Sequence, residues 1–264
     1  MTVPRSRHSI LVAVVKVYLG FQGASKIEMN QTISAVTASP RPRALRLVAL
    51  GDSLVYGYGD TEGGGWVDRL RCYWMRQALE DPHSLPSPVL YNLGVRGDTI
   101  DLVSRRLEAE FKHRGEYRNR VPDGILLSVG TNDSPRVGQP DGKNYTDFDR
   151  FQRMMETLLE RSLELAPIVY FVGMVPVDSY KMPFLDLLYY NHSDQYRYKE
   201  VTRQLCRSLG IPYLDLFEQW LSNGDQWWRS RLSEDGLHPN HLGYASIFEA
   251  VLAWKDLQQE LAHQ

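Results

Sequence analysis

Short apolar runs alternate along the chain with longer stretches in which apolar residues recur at helical spacing. The first run, LRLVAL, covers residues 45–50 and ends at Gly51, which predicts a buried strand. Further strands are predicted within residues 87–95, 123–133, 167–177 and 211–217. Helices are predicted over residues 64–80, 99–111, 145–166, 194–210 and 242–262.

Strict alternation of strands and helices with short connections favours a parallel sheet with helices on both faces. Ligands of such sheets bind beyond the carboxyl ends of the strands. Ser53 follows the first predicted strand, Gly94 lies at the end of the second, and Asn132 lies at the end of the third. The polar loop SEDGLHPN, residues 233–240, precedes the last helix. The pattern therefore predicts an α/β protein whose polar groups converge at one edge of the sheet.

Composition narrows the class of protein without identifying it. The 264 residues are 43% hydrophobic and 23% charged, as is usual for soluble globular proteins. The formal net charge of -2 provides no overall basic field, so a nucleic-acid partner is not expected. Cys72 and Cys206 have no partner at the spacing of metal ligands, so neither a zinc site nor a redox pair is expected.

The N-terminal segment resembles a signal peptide only in part. An apolar run at residues 9–25 follows basic residues, but Lys16 interrupts it and no A-x-A cleavage site follows. The run is also too short for a membrane span, so integral membrane association is not expected. We expect residues 1–42 to be an extension, disordered or weakly signal-like, and residues 43–264 to form a single domain. A cytoplasmic location is expected, and a periplasmic or secreted one if the segment is a working signal peptide.

Three polar residues have the chemistry of a nucleophile and its base. Ser53 follows a strand in LGDSL, and a serine hydroxyl becomes a good nucleophile only when a base removes its proton. His238 can serve as that base, and Asp235, three residues earlier, can orient the imidazole. A helix-capping serine and an ordinary surface turn explain the same residues when each is taken alone.

Acyl transfer also needs donors aimed at the oxygen on which negative charge develops. Gly94, in NLGVRGDT, offers a backbone N–H at the end of the second strand. Asn132, in GTND, offers a side-chain amide at the end of the third. Turn geometry would explain each residue separately. Their coincidence with Ser53 and His238 at the same sheet edge favours a catalytic site.

The segments ALGDSL, NLGVRGDT, VGTND and DGLHPN resemble the sequence blocks of the SGNH hydrolases, also called the GDSL lipase/esterase family. They occur in the family's order, and the resemblance runs from about Leu45 to Leu252. It implies a flavodoxin-like, three-layer α/β/α fold with a parallel sheet, and it implies no metal and no organic cofactor. The wider α/β-hydrolase class is not indicated, because GDSLV lacks the second glycine of its G-x-S-x-G turn.

The resemblance also implies a role for each residue of the predicted site. Ser53 matches the nucleophile, His238 matches the base, and Asp235 matches the residue that orients the base. The backbone N–H groups of Ser53 and Gly94 and the Asn132 side chain match the oxyanion hole. The predicted function is that of a serine esterase or acylhydrolase that works through an acyl-enzyme.

The substrate is less strongly predicted than the reaction. A small-molecule ester is expected, and the apolar segment DSYKMPFLDLLYYN (178–191) extends this to a lipid-like ester, although packing on the core explains the segment equally well. Candidate substrate contacts are Trp66, Tyr180, Phe184 and Leu185. The alternative is a carbohydrate O-acetyl esterase. A non-catalytic α/β binding module is more remote, because no member of the triad is missing. Oligomeric state is not predicted.

Overall fold

A computed structural model describes residues 44–81, 87–114 and 121–262. All of these residues belong to one compact unit. The extension predicted for residues 1–42 lies outside the described residues. Within the described ranges, every helix is too short or too polar to cross a membrane.

The centre of the fold is a parallel sheet that the apolar runs build. The strands of the described residues, in chain order, are β1 (Arg46–Gly51), β2 (Val89–Gly94), β3 (Gly124–Ser128), β4 (Arg136–Val137), β5 (Ile168–Val172), β6 (Leu188–Tyr189) and β7 (Tyr213–Leu214). Five of them form the main sheet of the described region in the order β2-β1-β3-β5-β7, and every pairing is parallel. β1 and β3 are buried along their whole length because helices cover both faces.

Helices lie on both faces of this sheet. They are α1 (Ser53–Tyr56), α2 (Gly65–Glu80), α3 (Ile100–Lys112), α4 (Phe148–Leu165), α5 (His192–Ser208), α6 (Leu216–Ser222), α7 (Asp225–Arg229), α8 (His241–Leu252) and α9 (Lys255–Ala262). Leu47 and Ala49 of β1 pack in one core with residues of α2 and α8. Val48 and Leu50 pack in a second core with residues of α3 and α4. The predicted three-layer α/β/α fold is therefore confirmed.

Two of the predicted elements that are shorter in the structure have a local cause. The last strand was expected over residues 211–217, but Asp215 caps α6 by accepting a hydrogen bond from the N–H of Glu218, and this ends β7 at Leu214. The closing helix expected over residues 242–262 breaks into α8 and α9. Trp254 lies at the break, where its indole Nε1 donates to Asp256 Oδ2 at 2.8 Å.

A small antiparallel sheet was not predicted. β4 follows the GTND segment and pairs with β6, with Arg136 opposite Tyr189. The guanidinium of Arg136 also forms an ion pair with Asp194 of α5, at 2.6 Å from Nε to Oδ2. These contacts join the segment after β3 to the apolar segment at residues 178–191 and hold both at the carboxyl edge of the main sheet.

Candidate active site

Ser53 lies in a sharp turn from β1 into α1. Asp52 caps the helix, and its Oδ1 accepts a hydrogen bond from the N–H of Leu54 at 2.9 Å. Gly51 allows the close approach of β1 and β3, because a Cβ there would lie 1.9 Å from the carbonyl oxygen of Ser128. No group among the described residues accepts the N–H of Ser53. The turn thus leaves the backbone N–H of Ser53 available to a ligand.

Asp235 and His238 form the hydrogen-bonded pair that their spacing predicts. Asp235 Oδ1 accepts the backbone N–H groups of Leu237 and His238, each at 2.9 Å. Its Oδ2 lies 2.7 Å from His238 Nδ1, and His238 Nε2 lies 3.0 Å from Ser53 Oγ. The Asx turn formed by one carboxylate oxygen therefore places the other oxygen against the ring.

The electrostatics of Asp235 favour its ionised form. Burial alone would raise the pKa of this carboxyl group. The hydrogen bonds from the His238 ring and from the backbone of His238 and Leu237 outweigh that effect, and the pKa is lowered from its ordinary value. An ionised carboxylate only accepts hydrogen bonds, so the proton of the neutral imidazole stays on Nδ1. His238 Nε2 then faces Ser53 as an acceptor.

Aromatic rings hold His238 on two sides. The ring of Tyr58 meets the imidazole edge-on with centroids 4.6 Å apart, and the ring of Phe184 does so at 5.8 Å. The guanidinium of Arg96 covers the ring of Tyr58 at 3.8 Å from the centroid. These contacts restrict the imidazole to the plane in which it reaches both Asp235 and Ser53.

Asn132 lies on the turn after β3, and its amide is hydrogen-bonded at both ends. Nδ2 donates to the carbonyl oxygen of Asp98 at 3.0 Å, and Oδ1 accepts from the hydroxyl of Tyr190 at 3.2 Å. One hydrogen of Nδ2 remains free for a ligand. The position at the carboxyl edge of the sheet agrees with the predicted role of Asn132 in the oxyanion hole.

The structure does not support Gly94 as an oxyanion donor. Its N–H donates to Asn92 Oδ1 at 3.0 Å, so the donor is already engaged. A Cβ at Gly94 would lie 2.1 Å from the backbone nitrogen of Tyr56. The glycine is required here because the end of β2 packs directly against α1.

Gly97, in the same NLGVRGDT segment, has the properties expected of that donor. Its φ of +81° lies in the left-handed region, and a Cβ there would meet nothing within 4 Å. Its N–H has no acceptor in the part of the chain that the structure describes. Gly97 also directly precedes Asp98, whose carbonyl group binds Asn132. Gly97 is therefore adjacent in sequence to the residue that binds the Asn132 amide.

Buried carboxyl groups beneath the site were not predicted from the sequence. Burial raises the pKa of Asp52 to about 7. Burial also raises the pKa of Asp133 to about 6, although Asp133 accepts hydrogen bonds from Thr146 Oγ1 at 2.6 Å and from the N–H of Ile100 at 3.0 Å. The bond to Ile100 satisfies a donor at the start of α3, where the side chain of Thr99 makes no capping hydrogen bond.

Comparison with known proteins places the chain in a family. The model of the GDSL-like Lipase/Acylhydrolase family matches residues 49–246, a range that contains Ser53, Asn132 and His238. The chain belongs to the GDSL-like lipase/acylhydrolase family. It is therefore a carboxylic ester hydrolase that acts on a small-molecule ester, and the resemblance seen in its sequence blocks is confirmed.

Solved structures similar to this acylhydrolase share its fold. A lipase/acylhydrolase from Enterococcus faecalis has a TM-score of 0.60 and 20% identity, and the match covers 79% of this chain and 93% of that one. A variant of Axe2, an acetyl xylan esterase from Geobacillus stearothermophilus, has a TM-score of 0.61, 16% identity and coverages of 80% and 94%. The acetyl xylan esterase AlAXEase has a TM-score of 0.60, 20% identity and coverages of 79% and 98%. No match to a curated protein sequence was found.

The predicted substrate contacts of this acylhydrolase lie in different environments. Phe184 contacts the ring of His238. Trp66 is 1% exposed and packs in the core between α2 and the sheet, so it has no surface to offer a ligand and the predicted role is not supported. Tyr180 and Leu185 are 86% and 75% exposed, and neither has a described ring contact or hydrogen bond to the triad. Leu185 and Asp186, with φ of 54° and 56°, form the tip of the turn before β6.

Proposed function

We propose that this acylhydrolase cleaves its ester in two steps, with Ser53 as nucleophile, His238 as general base and Asp235 as the residue that orients the base. The observation that supports this most directly is the continuous chain of hydrogen bonds from Asp235 Oδ2 through the imidazole to Ser53 Oγ, at 2.7 and 3.0 Å. A serine, a base within hydrogen-bond reach and a group that orients the base are the parts that nucleophilic catalysis needs.

In the first step, Ser53 Oγ forms a bond to the carbonyl carbon of the ester while His238 Nε2 takes the hydroxyl proton. The N–H groups of Ser53 and Gly97 and the Asn132 amide donate to the oxyanion that develops. Collapse of the tetrahedral intermediate breaks the bond to the alcohol, which leaves with the proton from His238. Water then attacks the acyl-enzyme in the same way and releases the acid.

For the substrate, we propose an ester whose acyl or alcohol group is apolar. Phe184 lies beside His238 and belongs to a small apolar cluster with Val177, Tyr190 and Leu237. An apolar wall next to the reacting carbonyl favours a hydrocarbon group over a hydrated one, because each buried CH₂ contributes about 0.8 kcal/mol. A lipid-like ester is the substrate class that fits this wall best.

A second candidate is a carbohydrate O-acetyl ester. The ring of Tyr180 is almost fully exposed, and the guanidinium of Arg229 lies 4.9 Å from its centroid. An exposed aromatic ring that a cation holds in place provides a flat apolar face against which a sugar could pack. Two of the structures compared above are acetyl xylan esterases, and at their identity they support this candidate only through the fold.

Hydrolysis of p-nitrophenyl esters from acetyl to palmitoyl tests both the reaction and the substrate. The wild-type protein, Ser53→Ala and the control Ser104→Ala, which changes a serine within α3, are compared. We expect Ser53→Ala to abolish turnover and Ser104→Ala to retain it. An optimum at butyryl or longer supports the apolar substrate, and activity confined to acetyl together with cleavage of acetylated xylan supports the second candidate. Substantial activity in Ser53→Ala would contradict the mechanism.

A further inference from the structure

We propose that Tyr190 is a positioning residue for the oxyanion hole: its hydroxyl fixes the orientation of the Asn132 amide so that one N–H points at the developing oxyanion. The proposal rests on the mechanism proposed above, because it assigns Tyr190 a function only through Asn132. For the segment that contains Tyr190, the sequence predicted only apolar contacts, either with a lipid-like ester or with the core.

The hydrogen bonds of Asn132 allow one orientation of the amide. The carbonyl oxygen of Asp98 can only accept, so the amide end 3.0 Å from it must be Nδ2. The Tyr190 hydroxyl lies 3.2 Å from the opposite end and can donate to Oδ1. A flipped amide would set two acceptors against each other at Asp98. Both contacts therefore favour the rotamer that leaves the second Nδ2 hydrogen unshared.

The small antiparallel sheet brings Tyr190 to this position. β4 begins four residues after Asn132, and β6 ends one residue before Tyr190. The pairing of Arg136 with Tyr189 sets the register, and the ion pair from Arg136 to Asp194 ties β4 to the first turn of α5 just beyond Tyr190. The contact between Tyr190 and Asn132 is thus a consequence of strand register rather than of proximity in sequence.

Tyr190 is also held rigidly enough to position another side chain. It is 2% exposed and packs in an apolar cluster with Val177 and Leu237. Leu237 directly precedes His238, so the same cluster supports the loop that carries the base. Burial raises the pKa of the Tyr190 phenol, so the hydroxyl keeps its proton and remains a donor. A buried hydroxyl needs a hydrogen-bond partner, and Asn132 Oδ1 is the partner it has.

A double-mutant cycle separates positioning from general structural support. Wild type, Tyr190→Phe, Asn132→Ala and the double variant are assayed for kcat and KM on p-nitrophenyl butyrate. We expect Tyr190→Phe to lower kcat by roughly 5- to 30-fold, the range expected for loss of one hydrogen bond in the transition state, with little change in KM. In the Asn132→Ala background the same change should have almost no effect on kcat, because the amide that it positions is absent.

Tyr189→Phe serves as the matched control, since it removes a neighbouring hydroxyl from β6 and should leave kcat unchanged. Thermal unfolding of each variant shows whether it is folded at the assay temperature, and any variant that is not is assayed below its transition. An equal loss of kcat in both backgrounds, or no loss in Tyr190→Phe, would overturn the proposal. Ser53→Ala is assayed alongside: if it retains activity, the mechanism itself is wrong, whereas an inactive Ser53→Ala with an additive cycle refutes only the assignment of Tyr190.

Discussion

His238 Nε2 lies 3.0 Å from Ser53 Oγ although 185 residues separate them in the chain. Tyr244 of α8 reinforces this approach, because its hydroxyl lies within 3.3 Å of the carbonyl oxygens of Ser53 and Tyr58. The proposed nucleophile is thus carried by the first strand-to-helix turn of the described domain, and the proposed base is carried by the loop before α8. The packing of α8 next to α2 therefore contributes to the geometry of the site.

The contact of Asp235 with the ring predicts a specific defect in Asp235→Asn. The amide oxygen can still accept the N–H groups of Leu237 and His238, so the loop should keep its shape. The amide NH₂ facing Nδ1 would favour the tautomer with the proton on Nε2, which cannot take the proton of Ser53. We expect kcat to fall by up to about 10⁴-fold, with KM changed little.

Glu234→Gln is the control for this variant, because Glu234 is exposed and precedes Asp235. It changes one charge in the same loop without touching the ring, and we expect wild-type kcat. Steady-state kinetics on a p-nitrophenyl ester measures both variants. Equal kcat values for Asp235→Asn and Glu234→Gln would mean that Asp235 does not set the tautomer of His238.

Gly97 and Gly94 are the two candidate backbone donors in the segment NLGVRGDT, and substitution of Gly97 tests the first of them. Gly97→Ala has space for its Cβ, so its effects are the backbone strain at φ of +81° and any shift of the N–H. We expect strain of about 1–2 kcal/mol in the free energy of unfolding, and a fall in kcat because the donor is displaced. Gly210→Ala is the matched control, since Gly210 has φ of +70° and equally open surroundings at the end of α5.

Urea unfolding and kcat are measured on both glycine variants. Similar losses of stability with a loss of kcat confined to Gly97→Ala would support Gly97 as the donor. If Gly97→Ala loses no more kcat than Gly210→Ala, the expected displacement of a donor at residue 97 is wrong.

The buried Asp52 predicts how stability changes with pH. Its pKa of about 7 in the folded state exceeds the ordinary value of 3.8, so between these pH values the folded state binds more protons than the unfolded state. The free energy of unfolding that this group contributes must therefore decrease as the pH rises from 4 to 7. Asp52→Asn keeps an oxygen for the N–H of Leu54 and has no charge to bury.

We expect Asp52→Asn to gain stability over the wild type as the pH is raised from 5 to 8, on the order of 2–3 kcal/mol in the free energy of unfolding. Urea unfolding at these two pH values measures the difference. Asp149→Asn, at an exposed position in the first turn of α4, should show no such change. A constant difference between Asp52→Asn and wild type across this range would show that Asp52 does not titrate there.

The sequence predicted most reliably what depends on local pattern. The continuous aliphatic run of β1 predicts the strand without knowledge of the fold, and the turn residues around Ser53 predict a candidate nucleophile. Asp235 and His238 lie three residues apart, so their contact is also local. The predicted element boundaries were wrong where a side-chain hydrogen bond ended an element earlier than the apolar pattern indicated. Asp215, for example, caps α6 and shortens β7.

The sequence could not predict which backbone N–H groups are already hydrogen-bonded within the protein. Gly94 and Gly97 lie in one segment, and only the structure shows that the N–H of Gly94 is bonded to Asn92 while that of Gly97 is open. The approach of Tyr190 to Asn132 depends on the register of β4 and β6. These two strands are too short to produce a recognisable alternation of polar and apolar residues in the sequence.

The position of Phe184 predicts its effect on the choice of acyl chain. Its ring lies beside His238 and belongs to the apolar cluster next to the triad, whereas Leu185, one residue later, points its side chain largely into solvent. Phe184→Ala removes apolar surface that a bound hydrocarbon group would cover. We expect kcat/KM for p-nitrophenyl octanoate to fall by roughly 10-fold or more relative to the value for the acetate. Leu185→Ala is the control and should leave this ratio close to that of the wild type. If instead Leu185→Ala lowers the ratio and Phe184→Ala does not, the acyl chain binds along the turn at residues 185–186 rather than against the ring beside His238.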